Sequence, residues 1–168
     1  MPEHPNFVRC IGCGAIVPDR TGPTHRYMES SPGCWEIYGK VLAREYSSPA
    51  YGVAHRMTVD AYAAQHPGKP SRQSIQSVAI HLQRLCLILE RNYTDAAAGK
   101  LMPLLTRNRS AYQWMSPPTS LGEKTVLHAW GAPDPAAHVQ AVQEWALSVW
   151  QAWSPRHHQV RGWLPKGL

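Results

Sequence analysis

Cysteine spacing constrains this chain more than any other feature. Cys10-x-x-Cys13-Gly14 and Cys34 put three of the four cysteines within one short N-terminal stretch, the fourth being Cys86. Two thiolates three residues apart bind one ion when the turn between them is tight, and a glycine after the second lets backbone amides approach sulfur. The thiol–disulfide alternative needs a helix starting on the motif, and Gly12, Gly14 and Pro18 argue against one. Cys34 falls in the first turn of a helix opening at Pro32, where the helix dipole favours the thiolate that a metal requires. His25, in the connecting loop, is the natural fourth ligand, with His55 and His81 as competitors. Together Cys10, Cys13, His25 and Cys34 make a Cys3His set suited to one zinc ion. Cys86 sits among leucines and reads as core.

The rest of the chain reads as all-α: about six helices in one domain over residues 1–168, with a metal-binding, irregular N-terminal loop at 8–35. Ser31 and Pro32 form a cap-plus-proline start, and Cys34, Trp35, Tyr38, Val41, Leu42 and Tyr46 recur at helical spacing. A short helix from Thr58 stops at His66, because Pro67 excludes the preceding residue from helical geometry. Ser71 caps a long helix to Asn92 whose inner face is Ile75, Val78, Ala79, Leu82, Leu85, Cys86 and Leu89. Further helices are expected over Thr94–Arg107 (interrupted at Pro103), Thr125–Trp130, Asp134–Trp153 and from Ser154 onward. No segment alternates apolar and polar over a strand's length.

No apolar run reaches the length of a membrane span, and the N-terminus lacks a secretory pattern, so a cytoplasmic protein with reduced thiols is expected. A formal charge of +6 is spread along the chain rather than clustered, which argues against specific nucleic-acid binding and leaves a small molecule or a protein as the partner to expect.

The nine histidines raise a second constellation. His66 leads into the polar first turns of the long helix, where Arg72, Gln76 and His81 are neighbours by helical spacing. Arg72 suits an anion, His66 or His81 acid–base work, and Asp60 the orienting of a histidine. Against this, polar residues at a helix start ordinarily cap it or face water. His157 and His158 are adjacent and cannot share a face, and His4, His128 and His138 read as ordinary.

The runs CxxCGA…GPTHRYMESSPGCWEIYGKVLAREYS and HRMTVDAYAAQHPGKPSRQSIQSVAIHLQRLCLILE, with the tail WALSVWQAWSPRHHQVRGWL, resemble an uncharacterised bacterial family of small proteins. The resemblance extends over nearly the whole chain. It implies a bacterial protein with Cys10, Cys13, His25, Cys34, His55, Asp60, His66 and His81 among its signature residues, and it brings no reaction or substrate. Two readings stay open. One is a helical binding or regulatory module in which zinc is structural. The other is a small hydrolase-type zinc enzyme with a polar pocket near His66, Arg72 and His81, which requires an open coordination position for water.

Overall fold

The computed structural model describes residues 6–168; His4 and the remainder of 1–5 lie outside the described residues. The N-terminal segment forms a small antiparallel hairpin of β1 (Phe7–Arg9) and β2 (Ile16–Pro18), paired with Val8 opposite Val17. Three-residue strands are too short to display the alternation by which strands are recognised, so the sequence shows only a loop there. Helices follow: α1 (Pro32–Ser47), α2 (Pro49–Gly52), α3 (His55–Gln65), α4 (Arg72–Leu89), α5 (Asp95–Lys100), α6 (Met102–Arg107), α7 (Val126–Trp130), α8 (Pro135–Ala152) and α9 (His157–Trp163). The fold is helical, as the periodicity predicts. No described helix is long and apolar enough to cross a membrane.

Helix ends follow side-chain chemistry. Ser71, Thr94 and Asp134 each accept the backbone N–H of the residue three positions on. Thr125 opens α7 with a reciprocal pair in which His128 Nδ1 accepts the Thr125 N–H. Ser31 differs from the cap expected of it: its hydroxyl accepts the amide of Ile11 at 3.1 Å, tying the start of α1 to the hairpin. The helix expected over 94–107 breaks at Leu101, two residues before Pro103. Tyr46, placed on the inner stripe by its spacing, instead points to solvent.

The core is organised around α3, which packs against α4 on one side and α8 on the other. Four small or flat residues in succession, Ala61, Tyr62, Ala63 and Ala64, are fully buried, so neighbouring helices reach α3 from several directions. Trp153 donates its indole N–H to the Ala64 carbonyl at 2.9 Å. Trp145 donates to Gln65 Oε1 at 2.8 Å, and the Gln65 amide donates to the carbonyls of Leu121 and Lys124. The end of α3 is therefore capped by side chains and loops rather than by water, as buried helix ends require.

A second polar tie holds α1, α3 and α8 together. The buried carboxylate of Glu45 accepts from His138 Nε2 and His55 Nδ1, both at 2.9 Å, and from the Thr58 hydroxyl. His138 Nδ1 faces the Ala129 carbonyl at 3.3 Å. The Glu45 carboxylate accepts, so His138 donates to it from Nε2 and ties α8 to α1 through a buried hydrogen bond. Removing one member leaves the other uncompensated. Glu45→Leu is expected to cost about 3–5 kcal/mol in unfolding free energy, read from urea denaturation.

Candidate metal centre

Three separate parts of the fold converge on one point. The hairpin turn supplies Cys10 and Cys13, the first turn of α1 supplies Cys34, and the residue ending α3 supplies His66. The turn is closed by Gly14 N–H to the Cys10 carbonyl at 2.9 Å and Cys10 N–H to the Ala15 carbonyl at 2.7 Å. Gly14 has φ of 77°, the left-handed region that glycine adopts without strain. Gly12 is there for space: a Cβ at this position would collide with the Glu29 carbonyl and the His66 ring. Gly33 likewise lies against the Pro18 carbonyl with no room for a side chain, which lets the start of α1 seat Cys34 beside the hairpin.

The three sulfurs and the His66 nitrogen all lie within 4.8 Å of one another. Cys34 Sγ is 3.6 Å and Cys10 Sγ 3.8 Å from His66 Nε2, and Cys13 Sγ is 3.9 Å from Cys34 Sγ. Cys10, Cys34 and His66 are buried and Cys13 is half-buried. His66 Nδ1 donates to the Tyr62 carbonyl at 2.8 Å. That bond fixes the tautomer and turns the Nε2 lone pair toward the sulfurs, the arrangement by which a ligating histidine is oriented. The ring is also clamped by stacking on Tyr62, which in turn stacks on Tyr38, with centroids 3.9 and 3.8 Å apart. Ser31 N–H donates to Cys10 Sγ at 3.4 Å and the Tyr62 hydroxyl to Cys34 Sγ at 3.6 Å.

Charge is distributed unequally among the thiols. Hydrogen bonds from Cys13 and Cys34 hold Cys10 far below the ordinary thiol range. The same bonds, seen from the donors, push Cys13 up to about 12 and Cys34 higher still, with burial adding to both. A metal ion held here would displace the protons of the thiols it binds.

The expected fourth ligand, His25, is not in the cluster. Its Nδ1 accepts the amides of Tyr27 and Met28 at 3.3 and 3.2 Å, and its ring lies edge-on to Tyr27. It serves as a brace for its own turn. The competing candidates are also engaged elsewhere, His55 with Glu45 and His81 Nδ1 with Asp60 Oδ1 at 2.7 Å. His66, read from sequence as an acid–base candidate and implied by the resemblance as a signature residue, is the histidine that stands beside the three sulfurs. Its place at the X-Pro stop of α3 was a legible signal, because that stop fixes the residue at a helix end.

The polar pocket expected near His66, Arg72 and His81 is divided in the structure. His66 faces the sulfurs. Arg72 is exposed at the start of α4, nine residues before His81 and so roughly 13 Å away along the axis. Gln76, partly buried, lies between them on the same helix and does not line the cavity at His81. Asp60 does orient a histidine, but it is His81, and it also receives Arg84 Nε at 2.8 Å.

A family model described as "Family of unknown function (DUF5946)" matches residues 8–154, a span that includes all four cluster residues. Searches of curated proteins and of solved structures each returned no match.

The tight passage under His66 gives a direct test. Gly12→Ala is expected to lower stability by about 1–3 kcal/mol through overpacking, measured by urea titration of the purified protein.

Proposed function

This chain belongs to that family of unknown function, and we propose that it is a zinc-stapled helical binding module in which the ion is structural. The observation that carries the reading is the His66 Nδ1–Tyr62 carbonyl bond, which presents Nε2 to three sulfurs. In a tetrahedral zinc shell of three sulfurs and one nitrogen, S···S edges are ~3.8 Å and S···N edges ~3.6 Å. The separations of 3.9, 3.8 and 3.6 Å fit that shell. Sulfur-rich donors with one imidazole favour zinc over the hard cations that prefer oxygen.

Four protein donors leave no coordination position for water, which supports a structural ion over a hydrolytic one. Three thiolates also supply enough charge to blunt Lewis acidity. Bound there, the ion would supply cross-linking: Cys10 and Cys13 hold the hairpin, Cys34 holds α1 and His66 holds α3.

Native mass spectrometry is expected to find one zinc per chain, absent in Cys34→Ser and in His66→Ala but retained in His25→Ala. Chelation is expected to lower the melting temperature; an unchanged melt would refute the staple. Burial and the neighbouring thiols raise Cys13 and Cys34, and a zinc ligand must be a thiolate, so uptake displaces protons. Affinity is therefore expected to weaken as pH falls, measured in competition with a chromophoric chelator.

A further inference from the structure

Tyr62 touches two of the candidate metal ligands at once. It lies on α3, one helical turn before His66, and is fully buried. Its carbonyl accepts His66 Nδ1 at 2.8 Å, and its ring stacks on the His66 imidazole with centroids 3.9 Å apart. Its hydroxyl donates to Cys34 Sγ of α1 at 3.6 Å. A second stack, on Tyr38 of α1, has centroids 3.8 Å apart and an interplanar angle of 15°, and Trp145 of α8 lies edge-on to the same ring. With the ring fixed by these neighbours, the direction of the hydroxyl is fixed too.

A phenylalanine at this position would supply the same ring and the same backbone carbonyl. The hydroxyl is the part of Tyr62 that packing does not require, and it ends on a sulfur. Three thiolates and a neutral imidazole around a divalent ion leave an excess of negative charge, and a buried charge is costly unless hydrogen bonds meet it. The Ser31 N–H meets the Cys10 sulfur and the Tyr62 hydroxyl meets that of Cys34. We propose that Tyr62 is a positioning residue of the metal centre, its hydroxyl offsetting charge on the metal-bound Cys34 sulfur while its carbonyl and ring hold His66. This role rests on the zinc assignment and adds to it the residue that couples the ligand of α1 to the ligand of α3.

The hydroxyl acts on affinity because its bond differs between the two states of the site. To a neutral thiol it is weak, whereas to a thiolate it is charge-assisted, so it favours the loaded form. Losing it makes Cys34 a stronger electron donor but leaves buried charge uncompensated, and the second effect is the larger. Partners that orient or hydrogen-bond a ligand in this way are worth about tenfold to a hundredfold in metal affinity.

The test compares the full-length protein with Tyr62→Phe, which removes only the hydroxyl, and with Tyr38→Phe, which removes a hydroxyl from the neighbouring buried ring. Zinc affinity is read by competition with a chromophoric chelator. Each protein is also loaded with cobalt(II), whose sulfur-to-metal charge-transfer band reports the electron density on the sulfurs. Tyr62→Phe is expected to weaken zinc binding by about tenfold to a hundredfold. Its charge-transfer band is expected at longer wavelength, because a sulfur freed of a hydrogen bond gives up its electrons more readily. Tyr38→Phe should change neither. Unaltered affinity or an unmoved band in Tyr62→Phe, an equal loss in Tyr38→Phe, or a Tyr62→Phe chain that does not fold would each overturn the role given to Tyr62 and leave the zinc assignment standing. A wild-type chain that takes up neither zinc nor cobalt would overturn both.

Discussion

The C-terminal end of α3 is the point on which the rest of the structure depends. A helix end leaves carbonyls without intrahelical partners, and a buried end must satisfy them with something other than water. Here the Tyr62 carbonyl takes His66 Nδ1, the Ala64 carbonyl takes the Trp153 indole, and Gln65 reaches both Trp145 and the loop before α7. Each of these bonds does a second task. Trp145 and Trp153 orient α8 against α3, and the Tyr62 bond aims His66 at the cysteine cluster. The helix end, the aromatic core and the candidate metal centre are thus one hydrogen-bonded assembly.

Along the same helix, the two polar sites are separated by design of the backbone. Asp60 and His66 are six residues apart, roughly 9 Å along the axis, and emerge toward different neighbours. One end of α3 meets sulfur and aromatic rings; the other meets Arg84, His81 and the Glu45 network. A helix built of Ala61, Ala63 and Ala64 between these sites brings little side-chain bulk, so both can approach the core without displacing each other.

Much of this was readable in the residues, and what was not has physical causes. The α4 and α8 faces follow the 3.6-residue period, and Pro67 ends α3 where local backbone sterics require. Cys10, Cys13 and Cys34 meet as their spacing and the position of Cys34 in the first turn of α1 suggest. His66 was obscured because nearness in the chain favoured His25, whereas tertiary packing decides which imidazole reaches the sulfurs. Arg84, a charged residue among the leucines of α4, is buried because it pairs with Asp60 and Asp95, partners that tertiary packing alone supplies. The hairpin escaped notice because three-residue strands carry too little periodic signal.

The separation of Cys10 from His66 has a consequence for the chain before it folds. These partners stand 56 residues apart in sequence. An ion joining them acts as a covalent bridge would, removing from the disordered chain the many arrangements in which the two ends are far apart. On chain-entropy grounds a link of that span is worth about 4 kcal/mol. A protein whose thiols stay reduced can thus gain the benefit of a long-range cross-link that is reversible and that forms only once the first 66 residues are present.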